Sequence, residues 1–261
     1  MKQRILGVLF LCASVGIGNG LSGCGLIMDT AVNRASDQAG EAVANKIAAD
    51  LTAPMYRAYA LGLMSAYFWA GGYWLAWQPY KPGEWTKWQH EIQQAKKDAD
   101  QGPREPLFVE KAFLRRNPDG SEWWRLKAFQ KNPEDTVIFE SLFSPDRTKL
   151  LRVRGKIGPN PVQEIQYAEG EANFPPPQAM EDPAIKKATV GTVELSSGTL
   201  RWSTNHARFT AHDGSGQFNV YFSTSVPGGV VKYEFVNKDS DRYTIQLVGN
   251  GSSAVSELGS Y

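Results

Sequence analysis

Hydrophobic and polar residues alternate with a period of two through most of the chain after residue 84. This period places successive side chains on opposite faces, so it predicts β-strands with one buried face. No helical stretch long enough for a parallel crossover separates the strands, and we therefore predict an antiparallel meander. We predict that residues 251–261 form a loose tail. The predicted strands are 85–90, 107–115, 122–129, 136–143, 149–157, 162–167, 189–195, 200–210, 217–224, 230–236 and 243–248.

Two segments before residue 84 show helical periodicity instead. Small apolar residues recur every three or four positions in 28–51, which predicts an alanine-rich helix with a narrow apolar stripe. Segment 58–78 contains no charged residue and is apolar around its whole helical projection, which predicts a helix buried on every side.

Three interpretations fit segment 58–78. It has about the length of a membrane span, although Gly71-Gly72 interrupts it. Its small residues at four-residue spacing, including Gly62 and Ala66, also suit an oligomer seam. We favour the third interpretation, a helix packed on the concave face of a curved antiparallel sheet, which gives an α+β fold. The residues assigned to this lid or apolar cavity are Leu63, Tyr67, Phe68, Trp69 and Trp74.

The first 24 residues resemble the precursor of a bacterial lipoprotein. A basic start precedes the apolar run 5–17, which is too short to span a bilayer comfortably. Leu21, Ser22, Gly23 and Cys24 follow. The resemblance implies that Leu21, Ser22 and Gly23 direct signal-peptidase cleavage and that Cys24 carries acyl chains such as palmitate. An ordinary secretory signal with a chance cysteine is the alternative.

This resemblance also predicts where the protein resides. Gly25 occupies the position where aspartate would retain a lipoprotein in the inner membrane, so the resemblance implies sorting to the outer membrane, with the protein on its periplasmic face. The predicted domains are a signal peptide (1–23), a helical anchor or lid (24–83) and an antiparallel β domain (84–261). A proline-rich loop at 172–182 interrupts the β domain.

Charge and cysteine content narrow the possible partners. The chain has 28 basic and 27 acidic residues, and removing 1–23 takes away two basic residues, which leaves 26 against 27. This balance lacks the basic surplus typical of nucleic-acid binders, so we expect no nucleic-acid partner. Cys12 would be removed with the signal peptide, so Cys24 alone would remain and no internal disulfide is possible.

The sequence shows no catalytic or metal-binding pattern. His206 and His212 share one face of a predicted strand, but six residues separate them by roughly 20 Å, too far to hold one metal ion. No serine lies in a nucleophile-elbow context. We therefore predict a protein that is not an enzyme and needs no cofactor or metal.

One charged row is a candidate binding site. Arg152, Arg154 and Lys156 alternate along a predicted strand and place three positive charges on one face of the sheet. Such a row predicts contact with an anionic lipid headgroup. Neutralisation by neighbouring glutamates such as Glu140 is the alternative.

The C-terminal part resembles bacterial envelope proteins with a LolA/LolB-like half-barrel. The resemblance rests on Gly198-Thr199-Leu200, His206-Ala207-Arg208 and the stretch 225–233. It implies a strongly curved antiparallel sheet with a helical lid around an apolar cavity for acyl chains, and it identifies no particular binding residue.

We therefore expect a non-catalytic periplasmic lipoprotein that binds lipid or a lipoprotein acyl chain. The alternative is a structural or adaptor lipoprotein that docks to another envelope protein through its alanine-rich and aromatic helices.

Overall fold

The computed structural model describes residues 78–93, 106–166, 187–210, 214 and 216–261. These residues form one eleven-stranded antiparallel sheet. The strands are β1 (Trp85–Gln93), β2 (Leu107–Arg116), β3 (Glu122–Phe129), β4 (Val137–Phe143), β5 (Leu150–Ile157), β6 (Gln163–Gln166), β7 (Thr189–Ser197), β8 (Leu200–Thr210), β9 (Gly216–Phe222), β10 (Val230–Asn237) and β11 (Arg242–Gly251).

The sheet consists of two meanders joined in the middle. Strands β1 to β6 form the first meander and β7 to β11 the second, in the order β6-β5-β4-β3-β2-β1-β11-β10-β9-β8-β7. The junction is the antiparallel pairing of β1 with β11, which extends from Trp85 opposite Gly251 to Gln93 opposite Arg242. Strand β7 also approaches β11, although three strands lie between them in the sheet, so the second meander is strongly curled.

Strand alternation gives the sheet an apolar face and a polar face. The apolar face carries large buried side chains in both meanders, such as Trp88, Phe139 and Ile245. Burying side chains of this size stabilises the fold by about 1.5–3 kcal/mol each. The polar face of the first meander carries Lys87, Glu110, Arg125, Glu140 and Arg154.

The structure confirms the antiparallel sheet and the eleven predicted strands, whose ends differ from the prediction by no more than three residues. The predicted α+β class is wrong. The described residues contain no complete α-helix, and their one bounded helical element is the 3₁₀ turn Pro133–Asp135, so the fold is an open all-β sheet.

This difference has a physical cause. Helical periodicity is a local signal, whereas the class follows from the long-range pairing of β1 with β11, which unites two meanders in one sheet. The segment 28–51, residues 58–77 of the second segment and the lid assigned to it lie outside the described residues. Within the described part of the chain, no helix has the length and hydropathy needed to cross a bilayer.

The residues after β11, 252–261, form a C-terminal strap across the polar face of the first meander, so the prediction of a loose tail is wrong. The strap starts beside β1, where the Ala254 amide donates to the Gly83 carbonyl (2.9 Å). Its anchor is the fully buried carboxylate of Glu140 (0% exposed). Four strap groups donate to this carboxylate: Ser256 Oγ (2.6 Å), the Glu257 amide (2.6 Å), the Leu258 amide (3.3 Å) and Ser260 Oγ (2.5 Å).

Two arginines that flank Glu140 in the cross-strand register also hold the strap. Arg125 Nη1 donates to the Val255 carbonyl (2.5 Å) and lies 3.1 Å from the Glu257 carboxylate. Arg154 donates to the Gly259 carbonyl. The burial of the Glu140 charge is therefore offset by four donors and by two cationic neighbours.

We expect Glu140→Gln to destabilise the protein and loosen the strap, because the amide keeps the shape but presents a donor to two hydroxyl donors. The expected loss in the free energy of unfolding is about 1–3 kcal/mol, measured by urea denaturation. Glu164→Gln is the matched control, because Glu164 makes a more exposed pair with Arg152 and should cost less than about 1 kcal/mol. Equal effects of the two substitutions would contradict this role of Glu140.

Candidate functional site

Most of the residues predicted to be functional lie outside the described residues. They belong to the predicted lipid attachment and cleavage site and to the predicted lid. These residues are Leu21, Ser22, Gly23, Cys24, Leu63, Tyr67, Phe68, Trp69 and Trp74.

The predicted headgroup contact lies on β5, where Arg152, Arg154 and Lys156 share the polar face. Arg152 donates two hydrogen bonds to Glu164, from Nε (3.0 Å) and Nη2 (2.7 Å). Arg154 is engaged by the C-terminal strap at Gly259. Two of the three side chains therefore already contact oxygen atoms of this chain, and Lys156 is half-buried beside them.

The apolar face contains a group of polar side chains that the sequence analysis did not single out. We call it the Lys111 cluster. Its centre is Lys111, which stands between Val109 and Phe113 along β2 and is 1% exposed. The members of the Lys111 cluster are Tyr80, Thr86, Trp88, His90, Lys111 and Tyr243.

The register of the sheet brings Lys111 against β1. Lys111 lies opposite Thr86, and its Nζ is 4.6 Å from the centre of the Trp88 ring. The negative face of an indole attracts a cation, more strongly when the pair is removed from water. Burial nevertheless lowers the pKa of Lys111 well below its ordinary value, because its ammonium loses hydration in these surroundings.

Trp88 contributes a second polar group to the same place. The side chain is 1% exposed, and its Nε1 has no hydrogen-bond partner among the described residues. A buried N–H group without an acceptor costs about 1–3 kcal/mol, so most buried donors in proteins are paired. The indole N–H of Trp88 is therefore a donor that an acceptor oxygen of a ligand can satisfy.

His90 and Tyr243 form a hydrogen-bonded pair beside this group, with 2.6 Å between His90 Nδ1 and the Tyr243 hydroxyl. Burial, and to a smaller degree the positive charge of Lys111, lowers the pKa of His90 to about 3. His90 is therefore neutral near pH 7, with one ring nitrogen as donor and the other as acceptor.

Tyr80 and Thr86 complete the Lys111 cluster. Their hydroxyl groups are 2.5 Å apart. Burial raises the pKa of Tyr80, although the hydrogen bond with Thr86 acts in the opposite direction. Tyr80 therefore remains protonated. Lys111, when protonated, is the only cationic member of the cluster under neutral conditions.

The arrangement suits a molecule with an apolar body and a polar end. The surrounding aromatic and aliphatic side chains offer apolar contact, and the Trp88 N–H is a donor for an oxygen atom beside the Lys111 amine. The described ranges contain no group of three or more His, Cys, Asp or Glu side chains that could hold a metal ion.

The sequence carried a signal for this site. In the alternation Leu107, Val109, Lys111, Phe113, the lysine occupies the apolar phase of β2. A charged residue in that phase predicts either that the strand is assigned to the wrong register or that the charge is buried and has a functional role. The proximity of His90 and Tyr243 had no such signal, because it depends on the pairing of β1 with β11.

Comparisons with known proteins do not assign this chain to a family. No family model matches it, and no curated protein matches it. Among solved structures, it is similar to a chain in the crystal structure of MucB in complex with MucA(peri), at 12% sequence identity and a TM-score of 0.38. The match covers 69% of this chain and 54% of that chain, so it spans about half of that protein's length. A similarity this low identifies neither a function nor a partner.

We expect the low pKa of His90 to make stability pH-dependent. Its folded value of about 3 lies below the ordinary value of about 6.5, so the unfolded chain binds more protons between these two values. The stabilisation is complete above pH 6.5 and is lost as the pH falls, by about 2 kcal/mol at pH 5. Urea denaturation at pH 7.5 and pH 5 should show this loss, and His90→Gln should remove it.

His206→Gln is the control, because it removes a histidine from the polar face and leaves His90 in place. This variant should keep the pH dependence of the wild type. An unchanged pH dependence in His90→Gln would show that His90 is not the titrating group.

Proposed function

We propose that this protein is a non-catalytic lipoprotein of the bacterial cell envelope whose β domain binds an amphiphilic ligand, a lipid or the acyl chain of a lipoprotein. The observation that supports this proposal is the Lys111 cluster, in which a lysine amine is buried on an apolar face beside an indole N–H that has no hydrogen-bond partner among the described residues. Such a face with few donors is typical of sites for molecules with an apolar body and one polar end.

The Trp88 N–H and the neighbouring Lys111 amine define the polar end of the ligand. An ester, carboxylate or phosphate oxygen accepts a hydrogen bond from Trp88 Nε1 and relieves the cost of its burial. An anionic oxygen also favours the protonated form of Lys111, because an opposite charge offsets the desolvation that lowers its pKa. The site therefore prefers an anionic head over a neutral one of the same size.

Access to the site requires movement. Lys111 and Trp88 are both 1% exposed, so a ligand reaches them only after part of the chain moves aside. Association is then slower than for an open cleft, and the bound ligand stabilises the folded protein by mass action. Slow exchange fits a protein that retains a lipid.

The proposed location follows from the N-terminal sequence. Acyl chains on Cys24 attach the protein to the membrane, and Gly25 directs it to the outer membrane with the β domain in the periplasm. The predicted headgroup contact remains the row Arg152, Arg154 and Lys156. It contributes less to the proposal than the Lys111 cluster, because Glu164 already offsets the charge of Arg152.

A structural or adaptor role is the second candidate function. Its predicted docking helices, 28–51 and 58–78, lie outside the described residues except for Gln78. The described feature that favours it is β7, an edge strand whose side chains are largely exposed.

The ligand-binding proposal predicts that the purified protein binds palmitate more tightly than hexadecanol, which has the same chain and a neutral head. Lys111→Met should remove this preference and weaken palmitate binding by roughly tenfold, because it deletes the cationic donor. Trp88→Phe, which keeps a ring and deletes the N–H, should weaken both ligands. Displacement of a fluorescent fatty acid measures the affinities.

Lys238→Met is the matched control, because Lys238 is exposed in the turn between β10 and β11. It should bind like the wild type. Equal affinity of the wild type for the two ligands, or no binding of either together with no lipid in the mass spectrum of the purified protein, would refute the proposal.

The anchoring proposal predicts that metabolic labelling with palmitate marks the wild-type protein and that Cys24→Ser abolishes the label. This variant should also leave the membrane fraction, because no acyl chain holds it there. Cys12→Ser is the control and should stay labelled, since Cys12 lies in the segment that cleavage removes. A labelled or membrane-bound Cys24→Ser protein would contradict the proposed anchor.

A further inference from the structure

The two edges of the described sheet differ in how they are protected. Strand β6, at one edge, has four residues, follows Pro161 and carries Glu164 paired with Arg152. Short length, proline and charge are the usual means by which proteins prevent an edge strand from pairing with another chain. Strand β7, at the other edge, has nine residues without lysine, arginine or proline. Its only charged residue is Glu194.

The side chains of β7 are open to solvent on both faces. Val190 is 58% exposed, and Thr192 and Val193, which are neighbours on opposite faces of the strand, are also exposed. All residues from Thr189 to Glu194 are exposed. The register shift of β7 on β8 is confined to Thr189–Gly191, and the rest of the strand pairs regularly with β8. An exposed edge that is regular beyond Gly191 and carries a single charged residue is a template for a further strand.

We propose that β7 pairs antiparallel with β7 of a second copy of this chain, so that the two sheets become continuous across a twofold axis. This pairing does not depend on the proposed ligand. The sequence of β7 favours a second copy, because the strand is complementary to itself. Centring the pair on Val193 overlaps all nine residues. It places Glu194 opposite Thr192 of the second copy and Val193 opposite its own equivalent.

Neighbouring registers are less favourable. A pair centred on Glu194 opposes two carboxylates, which is destabilising on a strand pair. Centring the pair on Thr192 instead leaves the last two residues of each strand without a partner. The register centred on Val193 therefore has the longest overlap and no opposed like charges.

Cysteine cross-linking in the full-length chain tests the register. In the proposed pair, the two Val193 Cβ atoms are about 5 Å apart, so Val193→Cys should form a disulfide-linked dimer under mild oxidation. Val190→Cys is the matched control. It is the more exposed position, but its two copies would lie roughly 20 Å apart and should not cross-link. A mixture of Val190→Cys and Ser196→Cys chains should cross-link, because these positions oppose each other.

Charge at Thr192 supplies a test without added cysteine. Thr192→Glu opposes two pairs of carboxylates across the axis and should weaken dimerisation by about fivefold, whereas Thr192→Lys opposes lysine to Glu194 and should strengthen it. Thr192 is exposed, so neither change disturbs the monomer. Analytical ultracentrifugation of the full-length chain in detergent measures the dissociation constants.

Three results would overturn the proposal. They are a wild-type chain that stays monomeric at all concentrations, cross-linking of Val193→Cys no faster than that of Val190→Cys, and equal dissociation constants for Thr192→Glu and Thr192→Lys. Capture of an extended segment from a different protein at β7, without pairing of two copies, gives the second result and also overturns it.

Discussion

The pairing of β1 with β11 is the constraint on which the rest of the structure depends. It joins strands from the two ends of the described chain and makes one sheet from two meanders. Trp88 and His90 on β1 therefore lie beside Leu247 and Ile245 on β11, so the apolar face is continuous across the junction. Because β11 ends next to the start of β1, the residues that follow β11 lie on the polar face of the first meander. There the Ala254 amide donates a hydrogen bond to the Gly83 carbonyl. The Lys111 cluster and the C-terminal strap both follow from this one ladder.

Two of the most deeply buried charged side chains, Glu140 and Lys111, lie on opposite faces of the sheet and are accommodated in different ways. Glu140 on the polar face is enclosed by the strap, whose four donors replace the water that the carboxylate loses. Lys111 on the apolar face lies on the Trp88 ring, beside an indole N–H with no acceptor among the described residues. The carboxylate is thus well satisfied by hydrogen bonds, which is typical of a structural group. The indole N–H offers a donor to a ligand beside the buried amine of Lys111, and for this reason we place the proposed function on the apolar face.

The pattern of alternating side chains located the strands because each strand buries one face, and burial leaves a period of two in the sequence. Glu122–Phe129 and Leu200–Thr210 were predicted to the residue. The strap was not predicted, because 252–261 lacks a period: it is held by hydrogen bonds to Glu140, a residue more than a hundred positions earlier. The fold class was also wrong, since helical periodicity in the N-terminal part says nothing about how the strands assemble.

The sequence by itself therefore determined the strands, their antiparallel connections and the apolar phase in which Lys111 stands. It also contains the lipoprotein-like start on which the proposed anchor rests. Only the tertiary structure decided that the two meanders form one sheet, that His90 meets Tyr243, and that β7 is the more exposed edge of the described sheet. The physical reason is range. Side-chain alternation is dictated by neighbours along the chain, whereas strand order, edge exposure and the surroundings of a buried charge depend on residues that meet only after folding.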